Sequence, residues 1–405
     1  MQKEFIRKIK NTITLNVTDG KIDSFRKQEE ETNSVRVYEN GNIGVAGNLG
    51  SIDEDMLTSR AVEALSLNIK YPCRLDGNLQ RKVDNEKVNI SETELIPVMQ
   101  DFLCRLNILC PNFSFSNKIS LIHNKTEYKN SLGRHLISSV HSIDIQLLCQ
   151  NRGSGNLFDT IFSYEGNNFT PEKILNNFKN EYDTFYKSVD IDPGEYPVVI
   201  DANDLFGPFL EQFVAELYVA GASLLSGKLG KKVFSENLTL KNDMNPLTNP
   251  SSCFFDDEGC VAPNFRPILI ENGILKGLLT TKKSSENLNI PNLGTAAAAS
   301  YDGVLNLGFN KFYVEPTVSS LKKLVPGKSI YIVISSGGDV TPDGHFVSPV
   351  QMSYLMENGK IIGKLPEIHI SGDFYDLLGK NYIGSVINNC NPSSTLSVLQ
   401  MSIKK

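Results

Sequence analysis

The sequence has no apolar run long enough to cross a bilayer. Its first residues, "MQKEFIRKIKNTITLNV", are basic but lack the apolar stretch of a secretory signal. It has no CxxC pair. The seven cysteines, Cys73, Cys104, Cys110, Cys149, Cys253, Cys260 and Cys390, are odd in number and scattered, which argues against a disulfide scaffold or a spaced zinc site. Reduced thiols in a cytoplasmic protein are the expectation. Positive charge is in deficit: 40 Lys and Arg against 46 Asp and Glu leave a net charge of -6. A nucleic-acid partner is not expected, because phosphate binding needs a dense basic surface. No HExxH, GxSxG, P-loop or GxGxxG motif is present, and the five histidines (His123, His135, His141, His345, His369) form no close ligand pair on a helix.

What remains is ordinary globular composition, 40% hydrophobic and 21% charged, over 405 residues, enough for two to three domains. "TITLNV" alternates in polarity and turns at "DG". "SVRVYENGNIGVAG" is a hairpin around Asn40-Gly41, a pair that tolerates positive φ. "SIDEDMLTSRAVEALSLN" reads as a helix capped by Ser51 or Asp53, with Met56, Leu57, Ala61, Ala64 and Leu65 as its apolar stripe. "ISETELIPVMQDFLCRLN" is a second helix, and a strand meander follows it, turning at "NSLG". "PEKILNNFKNEYDTFYKS" is a third helix with Pro171 at its first position. The Pro and Gly of "VDIDPGEYPVVID" mark a boundary near residue 190.

The second half holds two Asn-Gly hairpins of similar design, in "RPILIENGILKGLLTT" and "QMSYLMENGKIIGKLPEIHI", and a buried strand, "KSIYIVISSGGDV". Helices and strands come in segregated runs, so an α+β fold is expected rather than a doubly wound one. The expected domains are residues 1–190, α/β-layered on an antiparallel or mixed sheet, and residues 191–405, strand-rich with one long helix.

That helix is "FLEQFVAELYVAGASLLSG". Leu210, Phe213, Val214, Leu217, Gly221 and Leu224 make a wide apolar face, with Gln212, Glu216 and Ser223 on a second face. The polar face is either a solvated edge or a stripe lining a cleft. "FFDDEGC" clusters Asp256, Asp257 and Glu258; it reads as a turn, and three acids also suit a hard cation. The glycines of "SSGGD", Gly337 and Gly338, let another backbone approach closely, and His345 follows the next turn.

Several of these stretches, in this order, resemble the TldD/PmbA family, also labelled modulators of DNA gyrase: "VTDGKIDSF", "VRVYENGNIGVAG", "YKNSLG", "DPGEYPVVID", "PSSCFFDDEG", "RPILIENGILKGLLTTKKSSENL", "LGTAAAAS" and "SSGGDVTPDGHFVSPVQMSYLMENGKIIGKLPEIHISGDFYDLL". The helix that precedes the family's first strand is reduced here to about "QKEFIRKIK". The resemblance implies one of two subunit types. TldD-type subunits carry HExxxH, complete a zinc site with a distant cysteine and cleave peptides or unfolded chain; PmbA-type subunits, also called TldE, lack the motif and pair with the TldD type.

Carried onto this sequence, the motif falls on "EQFVAE": Glu211 and Glu216 stand at the histidines and Gln212 at the glutamate. An amide cannot take a proton from metal-bound water. Residues five apart on a regular helix point about 140° apart, and carboxylates without imidazoles suit hard cations better than zinc. Cys390 lies where the third ligand is sought. The resemblance therefore implies a non-catalytic PmbA-type subunit with no metal of its own, with zinc only in a TldD-type partner. Gly337, Gly338 and His345 are then candidates to line a peptide groove. The alternatives are a hydrolase with an atypical carboxylate site, and a non-enzymatic peptide-binding or regulatory protein that self-associates as a homodimer.

Overall fold

The computed structural model describes the whole chain except Glu86, Asn389, Cys390 and Pro392. The first strand, β1 (Gln2–Thr18), begins almost at the chain start, so "QKEFIRKIK" is strand and not a shortened helix. It turns at Asp19-Gly20 into β2 (Lys21–Glu39), which turns at Asn40-Gly41 into β3 (Asn42–Leu49). Helix α1 (Glu54–Ala64) follows. Asp53 caps it by accepting the N–H groups of Asp55 and Met56, and Leu57 and Ala61 are buried against the sheet while Met56 stays exposed. After the short β4 (Ile69–Lys70) and β5 (Gln80–Asp84), α2 (Glu92–Leu109) opens with a reciprocal Ser91/Glu94 capping box.

Strands β6 (Phe113–Asn130), β7 (His135–Asn151) and β8 (Thr160–Gly166) complete one eight-stranded sheet, ordered β4-β3-β2-β1-β6-β7-β5 with β8 also on β7. All its pairings are antiparallel except β5 with β7, so the sheet is mixed. Helix α3 (Pro171–Phe185) packs Ile174, Leu175, Phe178 and Tyr182 into a core shared with α2, β6, β7 and β8.

In the second half, β9 (Gly194–Asp201), β10 (Lys328–Ser335), β11 (His345–Glu357), β12 (Ile368–Asp373) and β13 (Thr395–Lys404) pair in a ring: β9 with β10 and β13, β13 with β12, β12 with β11, and β11 back to β10. The ring is a closed barrel filled by Val198, Ile200, Ile330, Ile332, Ile370 and Leu399 among others; closure leaves no sheet edge within it. Both predicted Asn-Gly hairpins form, turning at Asn272-Gly273 and Asn358-Gly359. The fold is α+β.

The expected long helix of the second half is absent. Residues 202–219 form α4 (Ala202–Phe206), a 3-10 segment (Gly207–Phe213) and α5 (Ala215–Val219), separated by Val214 with φ -73° and ψ 124°. The reason is tertiary. The backbone around Val214 pairs with Leu279: Leu279 N–H donates to the Phe213 carbonyl (2.7 Å) and Ala215 N–H to the Leu279 carbonyl (3.2 Å). These bonds replace those a continuous helix would have made.

The two halves meet through a buried polar junction. Arg36 and Glu4, 2% and 1% exposed, are 3.0 Å apart. Glu4 also accepts the hydroxyls of Tyr38 (2.8 Å) and Tyr128 (2.9 Å), and Arg36 reaches across to the Asp257 carbonyl (2.7 Å).

Candidate functional site

The break at Val214 decides the geometry of "EQFVAE". Glu211 ends up on the 3-10 segment and Glu216 on α5, both exposed. Gln212 is turned inward and engaged: its side-chain oxygen accepts the N–H of Leu224 (2.7 Å), and its carbonyl accepts the Ser223 hydroxyl (2.6 Å). Gln212 and Ser223 are thus brought together, but by chain reversal at Gly221 (φ +76°) rather than by helical periodicity, and Glu216 does not join them. An acceptor role for Gln212 suits an amide and is structural. The segment does not fit zinc: it offers two solvated carboxylates on separate elements, an amide already bonded to the backbone, and no imidazole. Cys390 lies outside the described residues.

The double glycine lies beside this segment. Phe346 packs on Phe209 of the 3-10 segment, their ring centroids 5.5 Å apart, and Gly344 sits over Leu224, the residue Gln212 holds. Gly337 has φ +79° and open space around it, whereas a side chain at Gly338 would collide with the Phe346 ring. His345 is exposed at the start of β11, its N–H bonded to the Thr341 hydroxyl (3.0 Å).

Among the described residues, one group of acids and thiols brings its ligand atoms within 4.8 Å of one another: Asp256, Glu258 and Cys260. Its oxygens are already in use. Asp256 accepts the N–H groups of Glu258 (3.0 Å), Cys260 (2.8 Å) and Ala296 (2.9 Å); Glu258 accepts the Tyr71 hydroxyl and the Lys282 N–H, both at 2.7 Å. Lys282 Nζ adds bonds to the Glu258 carbonyl (3.0 Å) and Asp76 (3.1 Å). This is the turn read from "FFDDEGC", stitched into the junction. Burial first, and the Asp256 charge next, push Glu258 up to about 8.

A cleft of about 810 Å³, which no sequence motif announces, lies between α3 and the barrel. It opens onto a smaller cavity of about 200 Å³, and the two share Asn177, Glu181, Tyr331, Asn388 and Leu396. Neither Glu211, Gln212, Glu216, Gly337, Gly338 nor His345 lines it. Glu181 faces this space, and loss of water there raises its carboxyl to about 7. Its position between the buried Phe178 and Tyr182 on α3 was the only sequence signal.

Residues 193–397 match the model of the PmbA/TldA metallopeptidase C-terminal domain. The chain is 28% identical over 364 residues to the zinc metalloprotease TldD homolog of Saccharolobus solfataricus, covering 85% of this chain and 80% of that protein. It is 24% identical over 415 residues to a metalloprotease of Archaeoglobus fulgidus, covering 94% and 91%. Among solved structures, TldE from Thermococcus kodakarensis superposes with a TM-score of 0.80 at 18% identity, covering 100% of this chain and 97% of that one. A putative modulator of DNA gyrase from Thermotoga maritima superposes at 0.78 and 19% identity, covering 99% and 96%. Among the described residues no helix is long and apolar enough to cross a membrane.

Proposed function

We propose, since the chain belongs to the PmbA/TldA metallopeptidase family, that it is a non-catalytic, PmbA-type subunit working with a TldD-type partner that carries HExxxH. The observation that carries this reading is Gln212: the residue aligned with the family's general base is an amide, and its oxygen is bonded to the backbone at Leu224. A base that must take a proton from water needs a suitable pKa, which an amide oxygen does not have. The substrate is peptide or unfolded chain held extended, with Gly337, Gly338 and His345 beside the Gln212 loop as groove candidates, since backbone pairing captures extended chain with little regard to sequence. Zinc belongs to the partner, and the setting is cytoplasmic. The test is a peptidase assay of the purified chain with and without a TldD-type subunit. Activity only in the mixture supports the reading; cleavage by the chain alone, abolished by chelation, contradicts it.

One observation favours a second reading, a hydrolase using acids elsewhere. Glu181, raised to about 7 in the cleft, has the protonation behaviour of a general acid or base. Under that reading Glu181→Gln abolishes a peptidase activity of the isolated chain; under the first there is no such activity to lose.

A further inference from the structure

We infer that the cleft beneath α3 binds a small zwitterion, with its ammonium in the inner cavity and its carboxylate in the outer part. The two ends of this space carry opposite charge. The inner cavity, about 200 Å³, is lined by Glu181, Asp201 and Asp204 and, among the described residues, by no Lys, Arg or His. The outer part, about 810 Å³, is lined by Lys187, Lys322 and Lys360, none of which has an ion-pair partner among the described residues. Asp183, on the same rim, is already held by Lys179 at 2.6 Å.

A group of acids on its own is only a hydrated patch. Glu181 adds the feature that calls for a ligand. Its carboxyl is buried where the two spaces join, although the residue as a whole keeps some contact with solvent, and it makes no hydrogen bond or ion pair among the described residues. What Glu181 does accept, the Tyr354 hydroxyl (3.1 Å), it accepts on its backbone carbonyl. A buried carboxyl without a partner is costly to ionise, and a cation placed beside it removes that cost. The three acids do not gather their oxygens within 4.8 Å of one another, as ligands of one small metal ion do. Burial alone raises Glu181, whereas enclosure first and the Asp201 charge next lift Asp204, which keeps a wet outer edge, to about 6. Glu181 thus stands apart from the Asp201/Asp204 pair, and the cation that fits between them is an organic ammonium. Ile174, Phe178, Ile332 and Leu396 wall the inner cavity and suit methylenes. Asn177 and Asn180, three apart on α3, offer amides to polar groups between the two charges. The lysines at the outer end disfavour a polyamine, whose second cation would meet them, and select a carboxylate. A free di- or tripeptide and an ω-amino acid share this chemistry.

Isothermal titration calorimetry of the full chain, with trialanine and ε-aminocaproate as probes, tests this. At least one is expected to bind; tighter binding of trialanine marks a peptide as the source, and tighter binding of ε-aminocaproate an amino acid. Acetylating the amine or amidating the carboxylate of the better probe is expected to weaken it about tenfold or more. Glu181 must be ionised to hold an ammonium. Its carboxyl, raised to about 7, is faced by Asp201 and Asp204, by Tyr331 of β10 and, at the outer end, by the three lysines. Binding is therefore expected to strengthen about fivefold from pH 6 to pH 7.5. Glu181→Gln is expected to remove that pH dependence, and Lys322→Glu with Lys360→Glu to weaken the better probe but not its amide. Circular dichroism melts check that the variants are folded, and the blocked probes decide on the wild type alone. No binding of either probe at millimolar concentration, equal binding of the blocked forms, or an unchanged pH dependence in Glu181→Gln overturns the inference. The readout is binding by this chain without proteolysis, so it stands or falls apart from the role assigned to Gln212.

Discussion

Gln212 shows how one residue can look functional in sequence and prove structural in three dimensions. Its amide oxygen ties Leu224 into the loop that returns from α5. Gln212→Ala is expected to cost about 1 kcal/mol in a urea titration, the net worth of a typical buried hydrogen bond. Gln212→Glu retains the acceptor and supplies a carboxylate but no imidazole, so it is expected to give no peptidase activity. Glu181 has the opposite history: only its place between two buried aromatics marks it in "FKNEYDTF", because the space it faces is closed jointly by β8 and by strands far along the chain such as β10. Its folded pKa of about 7 lies above the ordinary 4.5. Between those values the unfolded chain releases a proton that the folded chain holds, so this group's contribution makes stability fall as pH rises. Glu181→Gln is expected to be relatively more stable than wild type at pH 8 than at pH 4.5, by roughly 1–2 kcal/mol after allowing for partial access to water.

At the scale of elements, local signals were legible where local physics decides. The Asp53 cap, Pro171 at the start of α3 and the Asn-Gly turns each depend on residues within a few positions of one another, and all form. The misreadings have a common cause. "FLEQFVAELYVAGASLLSG" has helical periodicity, but its backbone is claimed at Val214 by Leu279, which no window of sequence contains. "QKEFIRKIK" has too many charges for a buried strand, yet the long partners β2 and β6 on either side hold it as one. The double glycine was read as letting another backbone approach; in the structure the Phe346 ring closes off Gly338, while Gly337 has open space beside it. Gly338→Leu meets the Phe346 ring and is expected to destabilise by about 1–3 kcal/mol, as overpacking does. Gly337→Ala meets no neighbour and carries only the strain of positive φ, about 1 kcal/mol. If Gly337 lines the groove, Gly337→Leu is expected to weaken peptide capture while the barrel stays folded.

Across the whole molecule, the α+β class and the family were legible from ordered motifs, while barrel closure and the buried junction were not, because both depend on pairings between distant segments. The junction makes the halves interdependent. Glu4→Gln leaves Arg36 buried beside a neutral partner and is expected to cost about 3–5 kcal/mol, read as a lower melting temperature of the full chain. Under the proposed reading function sits at this scale too, since a subunit without a competent base would act only through an assembly. The most direct test is one measurement on the purified chain: hydrolysis of an unstructured peptide, with zinc supplied, before and after addition of a TldD-type subunit. The account predicts no cleavage before and cleavage after. Efficient cleavage by this chain alone would contradict it.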